Sequence, residues 1–321
     1  MINSSGLKLK FVVGSSHPKL GAEISQYLGI DIVETENSIF SCGERYVRLT
    51  ESIRGMNVFL LQTSGPAVNE DYMELFIAID AIKRASAKSI SVIIPHFGYA
   101  RQDKKAGPRE PISAKLMANL ITVAGATRII TMDLHADQIQ GYFDIPVDHL
   151  SSLPLFVRYF TNKELKDLVI VAPDTGRAKA AKKFADRLGA DLAILHKTRP
   201  AHNQAKIMHI IGDVKHKTVI IYDDMVDTGG SVTQGLQALK DNGCNEDVYL
   251  ATTHPVFSGP AIERLQKAKF KEIVVTNTIQ ISPEKKLDSL KVLSTAPLFA
   301  EAISRNHNNM SISYMFDRLE D

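Results

Sequence analysis

The sequence has few of the features that mark secreted, membrane-embedded or nucleic-acid-binding proteins. It contains only two cysteines, Cys42 and Cys244, so no disulfide framework is expected and a reducing cytoplasm is the predicted location. No apolar run is long enough to span a bilayer, and residues 1–6 lack the apolar core of a secretion signal. The formal net charge of +2 predicts no nucleic-acid partner, because such proteins usually carry a strongly basic face.

What the chain does have is enough apolar sequence for two domains. Hydrophobic residues make up 44 % of its 321 residues. Short segments that are apolar on both faces alternate with segments of helical spacing, and the series starts again in the second half. This pattern predicts an α/β fold with two similar halves, each a mostly parallel sheet flanked by helices. The predicted domains are residues 1–149 and 150–321, and whether the last helix, at 296–306, packs on the first domain is left open.

Residues 217–243 predict one strand–loop–helix unit. An apolar run at 218–222 is followed by two adjacent carboxylates, Asp223 and Asp224, and then by the sequence DTGGS at 227–231. After this loop the apolar residues take helical spacing, and an Asn-Gly pair ends the helix. We therefore expect a buried strand, an acidic turn, a glycine-rich loop and a helix, in that order.

The chemistry of this loop favours a sugar phosphate. Backbone N–H groups at the start of a helix attract an anion, and Gly229 and Gly230 let the backbone approach it without a Cβ atom. The hydroxyls of Thr228 and Ser231 add donors, and carboxylates at the end of a strand suit sugar hydroxyls. On the residues alone, the alternative stays open that Asp227 or Thr228 only caps the helix and that the glycines only form a turn.

The loop at residues 96–111 follows another predicted strand and combines several Lys and Arg residues with two aromatic residues, Phe97 and Tyr99. A nucleotide needs this mixture, because its base packs on aromatic surface and its phosphates bind cations. A solvated basic loop is the alternative. Single-stranded nucleic acid is a further alternative, which the near-neutral charge of the chain weakens.

A divalent cation is suggested by His135, in the sequence DLHADQ after a predicted strand, and by Asp174 after a strand of the second half. Such residues at strand ends could hold Mg²⁺ against phosphates, since Mg²⁺ takes one or two protein ligands and keeps waters and substrate oxygens. Histidine is an unusual ligand for Mg²⁺, so a structural histidine is the alternative.

Two cations, Lys197 and Arg199, lie in a predicted polar loop at 197–204, after a strand predicted at 192–195. Cations on a mobile loop can close over a transferring phosphoryl group and stabilise the charge that develops there. A solvated turn is the alternative.

The sequence VIIYDDMVDTGGS at 219–231 resembles the phosphoribosyl-pyrophosphate motif of phosphoribosyltransferases. That motif alone does not separate the transferases from the synthetase that makes their substrate. Further segments resemble ribose-phosphate pyrophosphokinases of class I, the phosphate-dependent kind: GYARQD at 98–103, PREPISAK at 108–115, HADQIQG at 135–141 and THPV at 253–256. This second resemblance extends over nearly the whole chain.

The resemblance implies two phosphoribosyltransferase-like domains and transfer of the diphosphoryl group of ATP to ribose 5-phosphate, for nucleotide biosynthesis. The implied ribose 5-phosphate site lies in the C-terminal half, at Arg199, Asp223, Asp227, Thr228, Gly229, Gly230 and Ser231. The implied ATP site lies in the N-terminal half, at Cys42, Gly43, Glu44, Arg101 and Gln102, with the first three residues supplied by a neighbouring subunit. The implied Mg²⁺ ligands are His135 and Asp174, and the implied catalytic residues are Lys197 and Arg199.

The same resemblance implies a homo-oligomer, a hexamer built from dimers, with phosphate as activator and ADP as inhibitor. The chain departs from the family pattern at Cys42 in place of Asp, at Arg177 in place of Gly, at Lys206 in place of an acid and at Thr198 in place of Arg or Glu. These departures concern nucleotide specificity and regulation more than the reaction. A non-catalytic regulatory paralogue and a phosphoribosyltransferase are the alternatives, and the presence of Lys197 argues against the first.

Overall fold

The computed structural model of the chain describes residues 6, 8–198, 207–313 and 315. These residues form two compact units. The first contains the described residues of Met1–Ser151, Thr278–Gln280 and Ser294–Asp321, and the second contains those of Ser152–Asn277 and Ile281–Leu293. The C-terminal segment therefore belongs to the first unit, although the chain reaches it only after passing through the second.

Alternating strands and helices run through both units, as the sequence predicts. The strands of the first unit are β1 (Leu9–Val13), β2 (Ile32–Val33), β3 (Thr35–Ile39), β4 (Arg45–Leu49), β5 (Asn57–Leu61), β6 (Ser89–Ile94), β7 (Arg128–Met132) and β8 (Val147–Leu150). Those of the second are β9 (Leu168–Ala172), β10 (Asp191–Thr198), β11 (Ile207–Ile211), β12 (Thr218–Val226), β13 (Val248–Pro255), β14 (Glu272–Thr276) and β15 (Leu290–Leu293). The helices are α1 (Pro18–Leu28), α2 (Val68–Arg84), α3 (Ser113–Ala124), α4 (Leu153–Thr161), α5 (Ala178–Leu188), α6 (Gly230–Asp241), α7 (Ala261–Ala268) and α8 (Ala296–His307).

The first unit is organised around a six-stranded sheet of order β2-β1-β5-β6-β7-β8, in which every neighbouring pair is parallel. Its central strands carry apolar side chains toward both faces, as strands do when helices cover both sides. One of the two cores contains residues of α8 together with residues of α1, among them Phe299, Ile303 and Leu20. The last helix therefore packs against the first helix of the chain and completes this unit.

A separate antiparallel hairpin, β3–β4, lies against helix α2 of the first unit. It is joined to helix α2 by a buried ion pair between Arg45 of β4 and Glu74. Its turn is closed by two backbone hydrogen bonds, from Phe40 N–H to the Glu44 carbonyl and from Gly43 N–H to the Phe40 carbonyl, both 2.8 Å long. Gly43 has φ of 94°, in the left-handed region where a residue without a Cβ atom is favoured.

The second unit contains a seven-stranded sheet of order β11-β10-β9-β12-β13-β14-β15. All its neighbouring pairs are parallel except β10–β11, which is an antiparallel edge pair. The predicted α/β class with mostly parallel sheets is confirmed for both units. The sequence does not predict strand β11 or its antiparallel pairing with β10, because the polar residues at 197–204 are typical of a loop.

The apolar spacing after β5 predicts a helix with Asn69 as its cap and a core stripe that includes Met73, Phe76, Ile77 and Ile82. Two of these local predictions are wrong. The Met73 side chain is exposed, and Tyr72, Leu75 and Ile79 are buried. The helix also begins at Val68, before the predicted cap Asn69. Both errors arise because sequence spacing fixes the period of a helix more firmly than its rotation or its first residue.

Among residues 8–198 and 207–313, no helix is both long enough and apolar enough to cross a membrane.

Candidate active site

The carboxyl ends of three adjacent parallel strands bring the predicted residues of the second unit to one edge of its sheet. Strands β9 and β12 pair with Val171 opposite Ile221, and β10 and β9 pair with Ile194 opposite Ala172. Asp174 follows β9, while Asp223 lies on β12. Since ligands in open α/β sheets bind beyond the carboxyl ends of the strands, this edge is the natural place for a site.

The glycine-rich loop joins β12 to α6 and presents the start of the helix. Gly229 has φ of 73° and is the residue that precedes the helix, so the left-handed turn requires glycine there. Because this N-cap residue is a glycine, it makes no side-chain hydrogen bond to the helix end. The hydroxyl-bearing residues Thr228 and Ser231 are exposed, and Gly229 is buried. The residue at the N-cap position is thus Gly229 and neither Asp227 nor Thr228, and the first N–H groups of α6 are suited to an anion.

Three contacts brace the backbone of this loop. The Thr233 hydroxyl donates to the Gly229 carbonyl over 2.9 Å, and the Ser258 N–H donates to the Asp227 carbonyl over 2.9 Å. Arg264 of α7 donates from Nη1 to the Thr228 carbonyl over 3.1 Å. Arg264 was not predicted as part of the site, and no local signal identifies it, because it lies 36 residues from Thr228 in the sequence.

The two adjacent carboxylates lie inside β12, so the prediction that they form a turn is wrong. The Asp224 side chain is 3 % exposed and that of Asp223 is 15 % exposed. The Asp224 N–H donates to Oδ1 of Asp223 over 2.9 Å. Burial and the neighbouring Asp224 carboxylate raise the pKa of Asp223 well above its usual range, and the Arg177 guanidinium opposes this rise.

Asp174 and Arg177 occupy the turn between β9 and α5. The backbone N–H of Arg177 donates to Oδ1 of Asp174 over 3.1 Å, and Asp174 is exposed. Nε of Arg177 lies 3.7 Å from Oδ1 of Asp223 and 3.8 Å from Oδ1 of Asp224. The residue that departs from the family pattern therefore forms ion pairs with the acidic residues of the adjacent strand.

Lys197 belongs to strand β10 rather than to a loop, so the predicted end of this strand is wrong. Its register partner is Met208 of β11, and the strand continues to Thr198. The antiparallel partner extends β10 beyond the point where the apolar pattern stops. Arg199 and Lys206 lie outside the described residues.

In the first unit, His135 lies in the segment that follows β7 and is half-buried. Asp133, which lies between the end of β7 and His135, has φ of 39°, an unusual conformation for a residue other than glycine. Nowhere in the described ranges do three His, Cys, Asp or Glu side chains group so that they could hold a metal ion. His135 and Asp174 belong to different units.

Part of the loop at 96–111 belongs to the hydrophobic core of the first unit. Phe97 is buried among the apolar residues of the first unit, so the prediction that its ring faces a base is wrong. Tyr99 is half-buried, and its hydroxyl donates to Oδ1 of Asn69. Arg101 and Gln102 are exposed, and Oε1 of Gln102 accepts a hydrogen bond from the Ser113 hydroxyl over 2.5 Å.

The remaining predicted residues, Cys42, Gly43 and Glu44, form the turn of the β3–β4 hairpin and are all exposed. Exposed apolar side chains surround this turn, since Ile39, Phe40 and Tyr46 are each more than one-third exposed, at 58 %, 51 % and 38 %. The hairpin end is thus a surface that could contact another molecule.

Family models, curated relatives and a solved structure all indicate one enzyme family. Residues 9–125 match the N-terminal domain of ribose phosphate pyrophosphokinase, and residues 199–317 match the phosphoribosyl synthetase-associated domain. The chain is 54 % identical over 96 % of its length to 98 % of a ribose-phosphate pyrophosphokinase from Caldanaerobacter subterraneus subsp. tengcongensis. It is 50 % identical over 98 % of its length to the whole of one from Bacillus subtilis.

A solved structure is also similar, the crystal structure of phosphoribosylpyrophosphate synthetase from Mycobacterium smegmatis. Its TM-score is 0.90 at 44 % identity, and the match covers 94 % of this chain and 99 % of that one. The expected pair of phosphoribosyltransferase-like domains is confirmed by this likeness.

Proposed function

The chain belongs to the ribose-phosphate pyrophosphokinases, a family of transferase enzymes, and on that premise we propose the reaction that it catalyses. It transfers the diphosphoryl group of ATP to the C1 hydroxyl of ribose 5-phosphate, giving 5-phosphoribosyl 1-diphosphate and AMP for nucleotide biosynthesis. The loop of residues 227–231, which starts a helix directly after a strand that carries two adjacent carboxylates, supports the sugar-phosphate site. The observation that favours this reaction over that of a phosphoribosyltransferase is the 54 % identity to a ribose-phosphate pyrophosphokinase along 96 % of the chain.

Ribose 5-phosphate binds at this loop. Its phosphate is held by the backbone N–H groups at Gly229, Gly230 and Ser231 and by the hydroxyl of Thr228, where the start of α6 favours negative charge. Asp223 and Asp227 accept hydrogen bonds from the ribose hydroxyls, and Arg199 adds positive charge. The buried environment strengthens these hydrogen bonds, because little water competes there.

ATP is bound by Arg101 and Gln102 of the first unit, which are both exposed. The hairpin turn of a neighbouring subunit, Cys42 to Glu44, contacts the adenine. The exposed apolar residues around this turn support such a contact, because they would be covered by it. Cys42 contributes through its backbone where the family has a carboxylate.

Mg²⁺ is the expected metal, with His135 and Asp174 as the residues that would hold it. The exposed Asp174 fits this role, since Oδ1 accepts the Arg177 N–H and Oδ2 is the atom that would bind the metal. When bound, Mg²⁺ neutralises charge on the ATP phosphates.

The C1 hydroxyl attacks the β-phosphorus of ATP in line, and AMP leaves. Such a transfer depends on positioning and on charge stabilisation more than on covalent chemistry. Lys197, at the carboxyl end of β10, and Arg199 stabilise the negative charge that develops on the transferring group.

The enzyme acts as a homo-oligomer, a hexamer built from dimers, in the cytoplasm, with phosphate and ADP as effectors. Helix α3 supports the oligomer, because a stripe of exposed apolar residues runs along one face, at Ile112, Leu116, Leu120 and Val123. Exposed apolar stripes of this kind commonly mark protein–protein contacts.

The deciding experiment mixes the protein with ATP, Mg²⁺, ribose 5-phosphate and inorganic phosphate and measures AMP by chromatography. We expect AMP and 5-phosphoribosyl 1-diphosphate in equal amounts. Asp227→Asn should lose most of this activity, whereas Asp241→Asn, at the exposed far end of α6, should keep it. A folded wild-type protein that forms no AMP would contradict the proposal and favour a regulatory paralogue.

A further inference from the structure

Arg177 lies where the turn after β9 meets the buried acidic pair of β12. Its Nε atom is 3.7 Å from Oδ1 of Asp223 and 3.8 Å from Oδ1 of Asp224, so one guanidinium contacts both carboxylates. The Arg177 side chain is itself only 15 % exposed. The contact is therefore removed from most of the water that would screen a surface ion pair.

The acidic pair needs such a cation. Two adjacent carboxylates inside a sheet repel each other and lose hydration, and each effect favours the neutral acid. A protonated or displaced Asp223 would be a poorer acceptor for a sugar hydroxyl than an oriented carboxylate. Because Arg177 is anchored at its backbone by Asp174, its side chain approaches the pair from a fixed point.

We propose that Arg177 is a positioning residue for sugar recognition: it orients the carboxylates of Asp223 and Asp224 and balances their charge, so that they accept hydrogen bonds from the ring hydroxyls of a pentose phosphate. This inference rests on the proposed function and deepens it. A glycine at this position provides no such cation, so chains with glycine there must stabilise the pair in another way.

The test compares a substrate that has the hydroxyl with one that lacks it. Wild type, Arg177→Gln and Arg177→Lys are assayed for the KM of ribose 5-phosphate, the KM of ATP and the inhibition constant of 2-deoxyribose 5-phosphate. Arg187→Gln is the matched control, because Arg187 lies on α5, the helix that follows Arg177, and is exposed. Thermal unfolding is measured for every variant.

We expect the KM of ribose 5-phosphate to rise roughly tenfold or more in Arg177→Gln, as is usual when one partner of a buried charge pair is removed. The KM of ATP should stay unchanged. The preference for ribose over 2-deoxyribose 5-phosphate should fall roughly tenfold, because the lost interaction is with a hydroxyl. Arg177→Lys should recover part of the preference, and Arg187→Gln should match wild type.

An unchanged preference in a folded Arg177→Gln variant would overturn the inference, even if both sugars bound more weakly, since a purely structural role weakens both alike. If that variant does not fold, the preference of Arg177→Lys for ribose over 2-deoxyribose 5-phosphate decides. A reduced preference would support the proposal, and a wild-type preference would contradict it. A wild-type enzyme that forms no AMP would instead overturn the proposed function.

Discussion

Nη1 of Arg45 lies 2.7 Å from Oε2 of Glu74, whose side chain is only 1 % exposed. The same carboxylate accepts hydrogen bonds from the Ser15 N–H over 2.7 Å and from the Asn37 amide over 2.5 Å. One buried group thus joins both strands of the β3–β4 hairpin to helix α2 and to the loop after β1. The position of the hairpin turn depends on this carboxylate.

Glu74→Gln should therefore weaken both stability and ATP binding. Leaving Arg45 without the buried charge should cost about 3 kcal/mol of unfolding free energy, measured by urea denaturation. The KM of ATP should rise, with little change in the KM of ribose 5-phosphate. Glu70→Gln is the control, because Glu70 contacts the same arginine over 3.4 Å but is 57 % exposed, and it should cost under ~1 kcal/mol. Equal effects of the two variants would show that the buried contact has no special role.

Lys197→Ala should lower kcat by about two to three orders of magnitude, as the loss of one charge-stabilising donor does. The KM of ribose 5-phosphate and the melting temperature should change little, because the residue lies one position before the carboxyl end of β10. Steady-state kinetics and thermal unfolding measure these quantities, with Lys240→Ala on the exposed face of α6 as the control. A kcat within twofold of wild type would remove Lys197 from the mechanism.

The two thiols should react at different rates. Cys42 is exposed, whereas burial raises the pKa of Cys244 above its usual value, so less thiolate forms at a given pH. Iodoacetamide at pH 8 should modify Cys42 first, and the rate at Cys244 should keep rising as the pH increases above 9. ATP with Mg²⁺ should protect Cys42 if the hairpin turn contacts adenine. Mass spectrometry after timed quenching follows both sites, and modification of Cys42 at the same rate with and without ATP would contradict that contact.

The apolar stripe of α3 should be part of a subunit contact. Replacing both Leu116 and Leu120 by Glu introduces charge into that stripe, so the particle mass measured by light scattering should fall to that of a smaller assembly. Tyr27→Glu is the control, since Tyr27 is an exposed aromatic residue on α1, and it should leave the mass unchanged. An unchanged mass for the double variant would place the contact elsewhere.

The strand–loop–helix unit at 218–241 could be predicted from the sequence because its signals are local. A continuous apolar run, two glycines and a helical period each depend on neighbouring residues only. The parallel sheets could be predicted for the same reason, because strands that are apolar on both faces need helices on both sides.

Other parts of the site depend on contacts between residues far apart in the sequence. The local pattern predicts a loop at Lys197, because it does not reveal β11, the partner strand that extends β10 to Thr198. Arg264 reaches the Thr228 carbonyl from a different helix, and the ion pairs of Arg177 depend on the register of β9 and β12. The sequence shows that Phe97 is aromatic but does not show the direction of its ring. Its burial in the core therefore could not be predicted from the sequence.

The packing of α8 against α1 has a consequence for synthesis at the ribosome. The part of the first core that contains Phe299 and Ile303 is translated only after the whole of the second unit. The apolar surface of Leu20 and Ile24 therefore stays uncovered until the whole of the second unit has been made. A nascent chain of this kind depends on chaperones or on rapid elongation in a way that a chain with sequentially closed domains does not.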